Sequence, residues 1–185
     1  NQSSDAFSSV KASFPSILND KADQKYSDTW GVQANSMTLY GKTASETDKT
    51  LTGYYGDNKS TGQIEYVLPV EKAGTYKIYL AVHEWWVGPR TMNWDAVYTD
   101  KYGNENTVRL ATDLKVSSSA RDNSIEAEVT VDGPTTLKLR GYISGGTEAA
   151  VISFIGVSCV GSQTDDPVDK TEEIIVDSFD SLNSS

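Results

Sequence analysis

Two tryptophans stand side by side in His83-Glu84-Trp85-Trp86-Val87-Gly88-Pro89-Arg90, a stretch whose Gly and Pro mark a loop between extended segments. Neighbours on an extended chain point in opposite directions, so at least one indole is expected to meet solvent. A flat indole can stack on the apolar C–H face of a sugar ring, while His83, Glu84 and Arg90 can fix the ring's orientation through its hydroxyls. The same residues have a structural use. An indole can seal the end of a core with Arg90 stacked on it as a cation–π pair, His83 can serve as a strand-end residue and Glu84 can anchor the loop backbone.

A second aromatic stretch, Thr52-Gly53-Tyr54-Tyr55-Gly56-Asp57-Asn58, reads as a loop in which Tyr54 and Tyr55 sit between permissive glycines. Contact with a ligand and packing of the turn are both open to it. Trp30 and Tyr142 are further aromatic candidates, whereas Trp94, beside Met92 at an inward strand position, reads as core.

Catalysis is hard to build from this inventory. A single histidine rules out multi-histidine metal sites, and no nucleophile elbow, P-loop or dinucleotide fingerprint occurs. Acidic pairs are plentiful, but a small sandwich offers little of the deep, dry cleft that tunes a carboxyl for acid catalysis. A non-enzymatic role follows. Cys159, the one cysteine, lies in an apolar run and reads as a buried, inert thiol, so the chain holds no internal disulfide. Asp95, Asp100, Asp113, Asp122 and Asp132 are oxygen donors compatible with a structural calcium ion, yet no EF-hand spacing assigns its ligands.

The elements that must position these residues are strands. Gln63–Val70, Thr75–Glu84, Arg90–Thr99, Thr107–Ala111, Ile125–Val131 and Thr135–Gly141 alternate apolar and polar residues and are separated by Gly, Asn, Asp and Pro. In Thr75–Glu84, Tyr76, Ile78, Leu80 and Val82 share one face. Arg90–Thr99 with Thr107–Ala111, and Ile125–Val131 with Thr135–Gly141, are expected to form hairpins. Ala149–Val160 is apolar throughout and reads as one central strand covered on both sides. About seven or eight strands emerge, the pattern of an all-β protein.

The formal net charge is −10, from 26 acidic against 16 basic side chains, which makes nucleic acid and anionic membranes poor partners. No apolar run is long enough to insert in a membrane. Ten Tyr and four Trp against four Phe favour rings with a polar handle, suited to half-exposed surfaces. No signal-peptide pattern is present, so Asn1 is expected to begin a mature or trimmed chain.

The line Gly74-x-Tyr76-x-Ile78-x-Leu80-x-Val82-x-Glu84, followed by Gly88-x-Arg90-x-Met92 and a hairpin turn, resembles malectin-like and broader galactose-binding-like modules of bacterial glycoside hydrolases and surface proteins. The likeness runs over roughly Leu51–Val160, including Ile125–Leu139 and the closing Ile152-Ser153-Phe154-Ile155-Gly156-Val157. Met92 stands where that family often has an aromatic, and an Asn-Pro before the last strand is missing. The resemblance implies a jelly-roll-type antiparallel β-sandwich and sugar binding through aromatic loops.

The expectation is therefore a secreted or cell-surface, noncatalytic carbohydrate-binding module that holds a larger bacterial protein on an oligo- or polysaccharide, with α- or β-glucan as first guess. Its candidate contacts are Trp85, Trp86, Arg90, Tyr54, Tyr55, Glu84 and His83. A spacer or adhesion module without sugar affinity is the alternative. Residues 1–25 are expected to form a short helical or irregular arm, 26–160 the sandwich, 161–173 a linker, and 174–185 the start of a following module covalently linked to this one. That last segment packing back as an edge strand is the other option.

The polar, acidic, proline-containing stretch Gly161–Glu173 offers little apolar area to offset ordering entropy. Limited proteolysis should cut there first; protection of that stretch with cleavage inside Thr75–Val160 would show the boundary to be misplaced.

Overall fold

Side chains of an extended chain alternate between two faces, and Gly74–His83 shows it best: Tyr76, Ile78, Leu80 and Val82 are buried while Thr75, Lys77, Tyr79 and Ala81 are partly exposed. The same alternation buries Ile64, Tyr66 and Leu68 in Gln63–Val70 and Met92, Trp94 and Ala96 in Arg90–Thr99. Amphipathic ribbons of this kind are stable only when two sheets bury their apolar faces against each other.

The computed structural model describes residues 21–22, 24–27, 29–33, 39–43, 52–56, 63–162 and 173–177. Among these residues the strands are β1 (Lys21–Ala22), β2 (Gly31–Gln33), β3 (Leu39–Thr43), β4 (Thr52–Gly56), β5 (Gln63–Val70), β6 (Gly74–His83) and β7 (Arg90–Thr99). There follow β8 (Glu105–Val116), β9 (Asp122–Val131), β10 (Thr135–Gly146), β11 (Val151–Ile152), β12 (Phe154–Ser162) and β13 (Glu173–Asp177). They form one sheet in the order β1-β13-β12-β6-β9, a second in the order β2-β5-β10-β7-β8, and a small third sheet, β11-β4-β3. The all-β sandwich expected from the sequence is the fold. Every pairing is antiparallel except β1 with β13.

Several local expectations change. β7 and β8 do form a hairpin, and β8 is longer than the alternation alone predicts. β9 and β10 do not: β9 pairs with β6 in the first sheet and β10 with β5 and β7 in the second. The Asp132-Gly133-Pro134 turn specifies that the chain reverses; the shared core decides which sheet receives the next strand. Ala149–Val160 is broken at Ser153. Val151–Ile152 joins the small sheet through Tyr54 and Tyr55, and Phe154 onward enters the first sheet between β13 and β6. There both faces of β12 are buried, with Ile155 and Val157 alternating with Phe154 and Ser158.

Ile174–Asp177, expected to open a following module, and Glu173, assigned to the linker, lie in register with Phe154–Ser158 as a strand of this sandwich, where their backbone groups pair with the edge of β12. The chain at Lys21–Ala22, assigned to the arm, adds in parallel to that strand, while residues 1–20 lie outside the described ones. Gly161 and Ser162, assigned to the linker, belong to β12, and residues 163–172 lie outside the described ones.

At the tip of the β7–β8 hairpin, Asp100 accepts the backbone N–H groups of Tyr102 and Asn104 and the side-chain amides of Asn104 and Asn106. The Asn104 backbone N–H first, then these side-chain amides and the Tyr102 N–H, hold its carboxyl below the ordinary value. A depressed carboxyl contributes stability above the ordinary carboxylate range and loses it as pH falls through the folded value. Amide exchange at Tyr102 and Asn104 should accordingly quicken in acid, and Asp100→Asn should remove that pH dependence.

Trp94 lies fully buried, and Gly141 on the neighbouring strand makes room for it, since a Cβ there would overlap the indole. Gly141→Ala overpacks this site, and urea denaturation should show a loss of about 1–3 kcal/mol.

Candidate functional site

Glu84 follows β6 and Arg90 opens β7; they are 0% and 2% exposed. Arg90 Nε donates to Glu84 Oε2 at 2.5 Å and Nη2 to Oε1 at 3.4 Å, while Nη1 bonds the carbonyl of Ala149. Glu84 Oε1 also accepts the backbone N–H of Trp86 at 2.7 Å. Arg121 and Glu84 close the other side, with Arg121 Nη1 on the Glu84 carbonyl at 2.6 Å and the Glu84 N–H on the Arg121 carbonyl at 2.9 Å. The ligand contacts expected of Glu84 and Arg90 are corrected: both are engaged inside the protein, anchoring the loop. Their burial demands it, because a charge taken out of water must find a partner.

On this anchor sits an aromatic cluster. The Arg90 guanidinium lies 5.4 Å from the centre of the Trp86 ring. Tyr55 meets Trp86 edge-on at 5.0 Å and Trp85 meets it edge-on at 5.8 Å. Trp86 is 37% exposed and Val87 77%, whereas Trp85 is half-buried against the core. Gly53 permits that packing, since a Cβ there would stand 2.5 Å from Trp85 Cη2.

Tyr54 and Tyr55, expected in a loop, lie on β4, and adjacent strand residues face opposite ways. Tyr54 is therefore buried and is withdrawn as a ligand contact, while Tyr55 is half-exposed beside Trp86. His83 is buried too; its Nδ1 is 2.6 Å from Asp122 Oδ1 and its ring 5.9 Å from that of Trp85, so it takes the structural role. Of seven candidates the structure gathers six around one rim, Trp86 and Tyr55 outermost.

A second surface escaped the sequence. On the outward face of the second sheet, register aligns Gln33, Glu65, Arg140, Asp95 and Arg109 in one row across five strands. Arg140 Nε pairs with Glu65 at 2.8 Å and Arg109 Nε with Asp95 at 2.5 Å. Tyr142 donates to the other Asp95 oxygen at 2.9 Å and receives Arg109 Nη2 at 2.8 Å. Burial, and then the bond it donates to Asp95, raises the Tyr142 phenol above its ordinary value.

Beside this row an open groove of about 410 Å³ runs over Val67 and Val97, with Tyr26, Gln33, Glu105 and Lys138 around it. Opposite charges placed on different strands carry no local pattern, and only pairing register brings them together.

The five aspartates named as possible calcium donors are dispersed: Asp95 binds Arg109, Asp100 caps its turn, Asp113 accepts Ser144, Asp122 meets His83 and Asp132 accepts the Lys101 N–H. Among the described residues no three His, Cys, Asp or Glu side chains cluster as a metal site would require.

No protein-family model matches the chain, and no curated protein matches it significantly. Solved structures do. The N-terminal tandem of two family 22 carbohydrate-binding modules from Paenibacillus barcinonensis Xyn10C superposes with a TM-score of 0.54 at 11% identity, over 75% of this chain and 44% of that one. The xylan-binding family 22 module of the same enzyme gives 0.52 at 11% identity, over 85% and 90%. The Clostridium thermocellum endo-1,4-β-D-xylanase 10B fragment, a family 22 module with a catalytic domain in complex with xylohexaose, gives 0.51 at 16% identity, over 70% of this chain and 26% of that one. At such identities the likeness shows the fold: the chain is a β-sandwich of the architecture found in these modules. The chain thus spans about a quarter of the xylanase fragment and under half of the tandem. The malectin-like label remains a resemblance of the sequence.

Removing one partner of a buried ion pair leaves the other charge without compensation. Arg90→Ala should lower stability by about 3–5 kcal/mol in denaturant titration, a loss that adding sugar would not repair.

Proposed function

We propose that this domain is a noncatalytic carbohydrate-binding module, attached to neighbouring domains of a secreted or cell-surface protein, that holds glycan on the Trp86–Tyr55 rim. One observation carries the reading: a partly exposed indole is fixed at the surface by a fully buried ion pair beneath it. A ring held in place loses little entropy on stacking against a sugar. The neighbouring folds, among them one described as xylan-binding and one solved with xylohexaose, support carbohydrate as the ligand class. The polymers proposed are glucan, from the sequence, and xylan, through those neighbours.

The carboxylates that lie most deeply buried support binding over hydrolysis. Both oxygens of Glu84 are engaged by Arg90 and the Trp86 N–H, those of Asp95 by Arg109 and Tyr142, and Glu65 is held by Arg140. None is presented to a substrate in the geometry a general acid needs.

A spacer or adhesion module is the second reading, favoured by the half-burial of Trp85 and by Arg90 lying against Trp86, which together brace the β6–β7 connection. Affinity electrophoresis against α-glucans, β-glucans and xylan separates the two. Retardation by at least one polymer, lost in Trp86→Ala, is the expected outcome; free migration through every polymer would favour the spacer.

Stability distinguishes the two indoles. Trp86→Ala should weaken glycan binding about tenfold or more, about 1.4 kcal/mol, and lower the melting temperature only slightly. Trp85→Ala should cost about 3–5 kcal/mol of stability, so replacing both together would confuse folding with binding.

A further inference from the structure

The groove on the outward face of the second sheet lies among residues of β2, β5, β7, β8 and β10 and Tyr26 of the segment before β2, and none of them belongs to the Trp86 rim. Its volume of about 410 Å³ falls in the usual range for small-molecule sites, about 300–1,000 Å³. Its composition is mixed. Val67 and Val97 provide apolar ground, and Tyr26, 39% exposed, adds an aromatic ring to the lining. Gln33 and Glu105 supply neutral and acidic hydrogen-bonding groups. This is the combination an amphipathic sugar ring requires, C–H faces on apolar and aromatic surface and hydroxyls on polar groups.

Charge narrows the ligand further. In the adjoining row every ionic group is answered: Glu65 by Arg140 and Asp95 by Arg109. Lys138 is different. Register places it between Val67 and Val97, two residues along β10 from Arg140 and so on the same face as that row, and it has no ion-pair partner among the described residues. It lines the groove and carries an ammonium, a compact donor of three hydrogen bonds.

We propose that this groove is a second glycan subsite, selective for a sugar that carries a carboxylate, with Lys138 as the group that reads it. The chain's net charge of −10 sets a limit on the polymer. A densely charged polyuronate would be repelled by that field and by Glu105 in the groove wall, whereas a neutral glycan with isolated uronic acid units brings a single anion, which Lys138 can answer. The proposal rests on the reading of the domain as a carbohydrate binder, and it adds a site and a specificity that the rim does not supply.

The test uses two ligands that differ only at C6, methyl β-D-glucuronide and methyl β-D-glucoside, titrated into the isotopically labelled full chain and followed by amide and indole cross-peaks. Glucuronide should shift the amides of Val67, Val97 and Lys138, and should bind there about fivefold or more tightly than glucoside. Raised salt should weaken it, because a partly exposed ion pair is screened. Lys138→Gln, a surface substitution that leaves the core untouched, should abolish the preference. Equal response to the two sugars, an unchanged preference in Lys138→Gln, or no response of these amides would each overturn the subsite. A trigalacturonate that binds more tightly than the monosaccharide would overturn the limit to isolated charges. The Trp86 indole cross-peak, read in the same spectra with neutral oligosaccharides, reports the rim separately: a silent groove with a responding indole refutes this subsite alone, and silence of both with every polymer refutes the carbohydrate reading as well.

Discussion

The buried pair of Glu84 and Arg90 is the interaction on which the rest of the rim depends. It joins the end of β6 to the start of β7, reaches the backbone at Ala149 and holds the Trp86 amide. Such a pair is weak evidence for net stability, since desolvation opposes its attraction. What it supplies is position. With both charges out of water, few arrangements leave neither unsatisfied, which ties the connection between the strands to the pair and holds the Trp86 backbone beside it.

Around that anchor the sandwich divides its labour between faces. The inward faces are apolar and shared, with Ile78, Leu80, Trp94, Leu137 and Leu139 fully buried. The outward face of the second sheet is polar yet ordered, its carboxylates held by arginines whose planar forks suit them. A surface organised in this way presents donors and acceptors whose positions are set by strand pairing and by the ion pairs between strands.

Much of this was legible in the chain itself. Period-two alternation from Gln63 to Leu139 follows from the geometry of an extended backbone, and by itself it marks the inward residues, the burial of Trp94 and the sandwich class. Trp85 and Trp86 could be singled out for the same reason, since two adjacent large rings cannot both turn inward. That Glu84 anchors a loop was one of two readings its position allowed, and the hydrogen bond to Trp86 selects it.

Tertiary structure decided what depends on partners distant in sequence. Tyr54 became core and Tyr55 half-exposed because β4 pairs with β3 on one side and β11 on the other, which makes a strand of an expected loop. Glu173–Asp177 joined this sandwich because β12 has an edge for it, which the segment's own composition does not reveal. The row of Glu65, Arg140, Asp95 and Arg109, and Lys138 beside it, exists only through the register of β5, β10, β7 and β8. Local sequence determines which face of a strand a residue occupies, because that is a property of the backbone. Which residues stand beside it is settled by strand pairing, whose energy is distributed over the whole core and written in no single segment.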